Sequence, residues 1–302
     1  AQAEACAALG SPFMARLCTL LAERLAPETR LLQRLFDWPG DLTPRGHSVP
    51  LRLAGALHAL VLQGHEGLRA VYPPNSASDD ALWHAVRQAL DSEASFIDAF
   101  LDSAPQTNEV RRSALLIAAG HWLAERFTLP FAFSELGASA GLNLNWDRFA
   151  LQVGPTHLGP QHAALTLTPR WHGALPFAAD ITVAERAGVD LNPINVGDPE
   201  QRLRLLSYLW ADQPHRLALT EAAIAARPPL PSKADAIDWL ETRLAPKPGQ
   251  IHLIWSTIAW QYFPPEAQAR GKALIEAAGQ RATPDAPLAW LAYGAVAQSP
   301  GA

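Results

Sequence analysis

The sequence predicts an α/β protein in which an all-helical N-terminal region, residues 1–128, precedes a region of alternating strand and helix, residues 129–302. Two observations carry this. Up to Thr128 the apolar residues recur at helical spacing, separated by clusters of Pro, Gly and Ser. From Leu129-Pro130 onward short β-prone runs alternate with helical segments, the pattern of a sheet whose crossovers are helices.

In chain order, helical spacing covers residues 3–25, 28–36, 49–62, 79–101 and 108–127. Ser78 before Asp79-Asp80 supplies an N-cap with acids in the first turn, where they meet unpaired amides and the positive end of the helix dipole. Pro105 and Asn108 mark the start of the fifth helix. "PFAFSEL" then reads as the first strand, ended by a glycine. "DRFALQV" and "AALTLTP" read as two strands joined by the turn-rich "GPTHLGPQH", a β-hairpin inserted near 147–168. "DITVAERAGVDL" is a strand region closing on an acid, and 199–227 is helical with a break around Asp212-Gln213-Pro214. "IHLIWSTIAW" and "PLAWLAYG" are two further buried strands that bracket a helix over 265–279.

About half of the 302 residues are apolar, enough core for one large domain or two modest ones. With 29 acidic against 24 basic residues the chain has no overall basic field, so neither nucleic acid nor a membrane is an expected partner. The longest apolar runs, such as 114–119, fall far short of the roughly 18 residues a membrane span needs. Cys6 and Cys18 are the only cysteines. In one continuous helix their spacing corresponds to about 18 Å of rise, too far for a disulfide. With no disulfide framework and no secretion signal, a cytoplasmic location is expected, and no metal.

The most informative stretch is "SELGASAGLN", residues 134–143, which admits two readings. Gly137-Ala138-Ser139-Ala140-Gly141 fits the G-x-S-x-G elbow that exposes a nucleophilic serine, here Ser139. Strand, glycine-containing turn and helix start also suit a nucleoside cofactor, because backbone N–H groups are presented where no side chain blocks approach. An elbow serine needs an acid and then a late, loop-borne histidine. None of the histidines after Ser139 (His157, His162, His172, His215 and His252) lies in the last fifty residues, His252 falls inside a predicted strand, and no Gly-Gly pair is present to build an oxyanion loop. The dinucleotide fingerprint G-x-G-x-x-G fails because Ser139 and Leu142 occupy its second and third glycine positions. Glu135, at the end of the strand, points to a different ligand: a carboxylate there accepts from a cationic amino group, which a zwitterionic aminoacyl nucleoside presents and a pyrophosphate does not.

Residues 135–143 resemble motif I of the class I S-adenosylmethionine-dependent methyltransferases, acid-x-G-x-(G/S)-x-G-x-N. Through "GSPF", "QTNEVRRSALL", "ELGASAGLNLNWDRF", "RAGVDLNPINV", "LWADQPHRL" and "WLAYG" nearly the whole chain resembles a bacterial family catalogued as domain of unknown function 2332. The methyltransferase resemblance implies a Rossmann-like sheet of methyltransferase type after the helical region, with S-adenosylmethionine at the carboxyl ends of its strands. It assigns Glu135, Gly137, Ser139, Gly141 and Asn143 to the motif I loop, and Asp190 in "GVDLNP" to the ribose hydroxyls with Glu185 as fallback. Asp235 in "KADAIDWL" falls beside the adenine or caps the next helix, and Ser256 in Trp255-Ser256-Thr257 is the fourth motif, near the transferring methyl. Trp260, Tyr262 and Phe263 either wall an apolar acceptor pocket or pack in the core. The Asn/Asp-Pro-Pro-aromatic tetrapeptide of amino-methylating enzymes is absent, so base or amide N-methylation is not expected. In "QTNEVRR", Asn108 reads as a cap, and Arg111 or Arg112 as a bidentate donor to a carboxylate of substrate or cofactor. The expectation is a methyltransferase acting on a small molecule of unassigned class. The alternatives are a non-catalytic S-adenosylmethionine-binding or regulatory protein on the same fold, and a serine hydrolase using Ser139.

Overall fold

The computed structural model describes residues 1–43 and 46–294. The chain divides into two compact units, the first built from Ala1–Thr107 with Gly197–Ala218, the second from Asn108–Val196 with the described residues from Leu219 onward. The change of sequence pattern at Leu129 thus lies inside the second unit.

In the first unit the helices are Gln2–Ala8, Pro12–Arg24, Arg30–Phe36, Val49–Gln63, Glu66–Arg69, Asp79–Ser92, Ala94–Leu101 and Pro199–Ser207. They enclose one apolar core that includes Leu17, Leu32, Leu57, Leu82 and Leu101. The continuous helix expected over 3–25 is in fact two helices. Gly10 adopts φ +82°, a turn conformation that glycine takes without steric cost. Ser11 then caps the second helix by accepting from Met14 N at 3.2 Å, and Pro12 fills a first-turn position where no N–H is needed. The expected separation of the cysteines fails with that helix. Cys6 and Cys18 lie on different helices as free thiols in the same core, and the neighbouring Cys18 thiol, by hydrogen bonding, holds Cys6 down to about 6. The predicted helix over 79–101 likewise breaks at Glu93 (φ −109°, ψ 21°).

The strands lie in the second unit: β1 Phe131–Leu136, β2 Ala150–Val153, β3 Thr156–Leu158, β4 Thr166–Leu167, β5 Val183–Asp190, β6 Ser232–Lys233, β7 Ile251–Thr257 and β8 Leu288–Tyr293. Five form a parallel sheet in the order β6-β5-β1-β7-β8. The chain runs outward from β1 through β5 to β6, then crosses to the other side for β7 and β8, so the order reverses between β1 and β7. β1 is central and buried along its whole length, which explains its near-continuous apolar sequence.

Alternation sorts the side chains of β1 onto two faces. Phe131 and Phe133 pack on Trp146 at ring-centroid distances of 6.1 and 5.0 Å. Trp146 in turn lies against Gly120 of the helix Ser113–Phe127, where a Cβ would come within 2.0 Å of its ring. On the other face Leu136 joins Val189 and Ile254 in a core closed by Ala236, Leu240, Ile275 and Ala278, from the helices Ala236–Glu241 and Pro265–Gly279.

β2, β3 and β4 make a separate small sheet. Its antiparallel partner for β2 is β3, inside the stretch read as a turn, whereas the expected second strand contributes only β4, paired parallel to β2. Gly154 (φ +54°) makes the tight connection between β2 and β3. Among the described residues no helix is long and apolar enough to cross a membrane.

Candidate site at the end of the central strand

The parallel sheet ends β1 at Leu136, and the chain must then turn sharply between β5 and β7. Gly137 (φ +71°), Ser139 (φ +53°) and Gly141 (φ +70°) make that turn in the left-handed region. Two of these positions exclude a side chain for a second reason: an added Cβ would meet Ala259 Cβ at 2.2 Å from Gly137 and Pro229 O at 2.4 Å from Gly141.

The turn is pinned by its own amides. Gly137 N and Ala138 N both donate to Val189 O at 2.9 Å, Gly141 N donates to Ala138 O at 2.8 Å, and Ser139 N donates to Asp190 Oδ2 at 2.8 Å. Leu142 N donates to the buried Asn108 Oδ1 at 2.9 Å, and Ser113 Oγ donates to Asn143 Oδ1 at 2.7 Å. After the turn comes a 3-10 segment, Leu142–Arg148, kinked at Asn145, in place of the α-helix the sequence suggested. Many of the amides expected to face a ligand are therefore engaged within the protein.

Glu135 is the most distinctive side chain here. It is wholly buried, and neither carboxyl oxygen makes a well-formed hydrogen bond, the Trp255 indole approaching as a weak donor. Its register partners are Gly188 on β5, which has no side chain, and Trp255 on β7. Burial, which penalises the charged form, pushes its pKa up to about 8. The Trp255 indole and Arg112 pull it down and Asp190 pushes it further up, so these groups surround it electrostatically. Trp255 Nε1, Ser139 Oγ and Asn143 Nδ2 are likewise buried without a well-formed hydrogen bond. Buried polar atoms are nearly always paired in folded proteins, which makes this cluster at one strand end the candidate site.

Asp190 closes β5 on the same face as Glu135, its Oδ1 accepting from Asn192 N at 2.9 Å while Oδ2 holds Ser139 N. Arg112 donates to Thr257 O at 3.1 Å, whereas Arg111 is half exposed and grips Glu109 through Nε and Nη2 at 2.9 and 3.0 Å. Arg112 thus lies at the strand ends and Arg111 is tied to its neighbour. Asp235 caps the helix Ala236–Glu241 by accepting from Ile237 N and Asp238 N, the second of the two roles the sequence allowed it.

Ser256 is buried, but alternation places it on the sheet face opposite Glu135 and Trp255. Trp260 packs against Trp290 and Phe263, while Tyr262 is 76% exposed, so the aromatic trio divides between core and surface. Glu185 is at the opposite end of β5 from Asp190, held below its usual range against burial by Lys247 and Arg243, at 2.9 and 2.6 Å. Ile258, directly after β7, has φ +74°, an outlier for a β-branched residue, costing about 1–3 kcal/mol. The sequence carried no signal for it; the bond from Ile258 N to Tyr293 O at 2.6 Å helps to hold it there.

The second unit is thus an α/β unit with a five-stranded parallel sheet, a glycine-rich turn after its central strand and a buried carboxyl near that strand's end. Residues 1–301 match one family model, and the chain belongs to that family, DUF2332, described as "Uncharacterized protein conserved in bacteria". No curated protein and no solved structure matches the chain.

Proposed function

We propose that this protein is an S-adenosylmethionine-dependent methyltransferase with a Rossmann-like α/β unit, acting on a small molecule. The observation that carries the reading is Glu135: a fully buried carboxyl near the end of the central strand with no well-formed hydrogen bond to either oxygen. A cationic ammonium is the group that such a carboxylate accepts best. The sheet order supports it. Numbered along the chain within that sheet, the strands run 3-2-1-4-5, and doubly wound sheets bind ligands outside the carboxyl ends where the order reverses. Glu135 and Trp255 pair near the carboxyl ends of the two strands that flank that reversal.

The residues present fit such a cofactor. Glu135 would hold the ammonium, Asp190 the ribose hydroxyls, and Arg112 a carboxylate. Asp235, committed to its helix cap, keeps a place near the adenine only through its second oxygen. The cofactor supplies an activated methyl on sulfur; the protein's task is alignment, which needs no acid–base triad when the acceptor is already nucleophilic. Ser139 Oγ has no histidine partner, since His252 bonds Ser134 instead, which weighs against a hydrolase. A non-catalytic cofactor-binding protein is the second reading, favoured by the place of Ser256 on the face away from Glu135.

Equilibrium dialysis with labelled S-adenosylmethionine tests the proposal. The wild type should bind at micromolar concentration, and Glu135→Ala and Asp190→Ala should each weaken binding at least about ten-fold, the loss of one charge-assisted contact. Absence of binding at millimolar ligand overturns it. Binding without methyl transfer to any acceptor tested would select the second reading.

A further inference from the structure

We propose that the second unit carries a tetrahedral-oxyanion site, for phosphate or sulfate, in the recess lined by His252, Lys247 and Arg281 near the amino-terminal ends of the strands. Register places His252, Ser134 and Glu185 on the sheet face opposite Glu135, so the site is separate from the cofactor reading and stands without it.

One hydroxyl fixes the protonation of the histidine. Ser134 is wholly buried; its Oγ accepts from Arg243 Nε at 2.9 Å and lies 2.8 Å from His252 Nε2. Its single hydrogen has no other acceptor among the hydrogen bonds of the described residues, so it goes to Nε2. Burial, with Lys247 and Arg243 adding to it, holds His252 at about 4, so the ring is neutral at pH 7 and carries its one proton on Nδ1. That nitrogen is buried and has no partner. His252 also lines a shallow recess, open to solvent, with Lys247, Arg281, Leu244 and Pro287. The recess runs from the buried His252 to the exposed Arg281.

Charge defines the ligand. Arg243 Nη2 and Lys247 Nζ share one carboxylate, Glu185, at 2.6 and 2.9 Å. Arg281 donates only to carbonyls, Ala277 O at 3.1 Å and Leu244 O at 3.3 Å. Arg243 and Lys247 therefore share one counter-charge, Arg281 makes no ion pair among the described residues, and the recess is lined by His252, Lys247 and Arg281 as its residues with polar side chains. Donor-bearing side chains with positive charge in excess call for a compact anion with several acceptor oxygens.

The test is titration of the purified protein with inorganic phosphate, sulfate and acetate at constant ionic strength, chloride making up the balance, followed by thermal melting and by the ¹⁵N resonances of His252. We expect saturable stabilisation by phosphate or sulfate, a proton on Nδ1 whose resonance moves with the same midpoint, and binding at least about ten-fold weaker in Arg281→Gln. Arg281 is exposed, so its replacement leaves the fold in place. Glycerol phosphate identifies the source: binding as tight as that of inorganic phosphate supports a phosphomonoester, weaker binding a free anion. Equal effects of phosphate and chloride, tighter binding of acetate than of phosphate, or unchanged phosphate binding by Arg281→Gln would each overturn the proposal.

Discussion

Burial keeps Glu135 protonated to about pH 8, whereas in the unfolded chain it ionises near its ordinary 4.5. Between those values the folded state binds the extra proton, so the stability it contributes is fully present below 4.5 and is lost as pH rises through 8. His252 behaves in the opposite sense. Its folded value near 4 lies below the ordinary 6.5, so its contribution is present above 6.5 and is lost as pH falls through 4. The two slopes, about 1.4 kcal/mol per pH unit each, oppose one another from 4.5 to 6.5, and Glu135 alone acts from 6.5 to 8. Glu135→Gln should therefore abolish a decline in stability between pH 6.5 and 8, and His252→Asn should expose a decline beginning at 4.5. Urea midpoints taken across pH measure both; wild type and Glu135→Gln running parallel from 6.5 to 8 would show that Glu135 is ionised in the folded protein. Little of this was legible in the sequence. A carboxyl at a strand end followed by glycine was visible as a ligand signal, but its isolation depends on Gly188 and Trp255, on strands that sequence spacing does not align.

The turn 137–141 was legible because its backbone admits so few residues. Gly137→Ala adds a strained φ and a contact of 2.2 Å with Ala259, while Gly154→Ala, at φ +54° with nothing within 4 Å, adds strain alone. Denaturation should give a loss of about 1–2 kcal/mol for Gly154→Ala and a clearly larger one for Gly137→Ala; equal losses would mean that the turn has room for a side chain. Other elements were hidden for physical reasons. Glycine costs only about 1 kcal/mol inside a helix, so the break at Gly10-Ser11 did not interrupt the apolar periodicity that suggested one helix. Thr156–Leu158 pairs as a strand inside a sequence whose glycines and prolines signal turns, because its partner β2 supplies the ladder that local propensity does not. The Ser134–His252 and Ser134–Arg243 bonds span more than a hundred residues each, which no local pattern encodes.

The residues gathered near Glu135 come from four stretches of chain that all belong to the second unit: 108–113, 135–143, 188–194 and 255–258. The path of the chain through its sheet brings them together by reversing between β1 and β7. The parallel sheet was legible from alternating strand and helix signals; the reversal was not, since strand order depends on long-range pairing. On the proposed function the Glu135 carboxyl, protonated when free, ionises to receive a ligand ammonium. Calorimetric titration with S-adenosylhomocysteine at pH 7, in buffers of differing ionisation enthalpy, tests this ionisation directly. Micromolar binding with release of close to one proton is expected, and no such release in Glu135→Gln. Binding whose heat is independent of the buffer, or no binding at millimolar ligand, would contradict it.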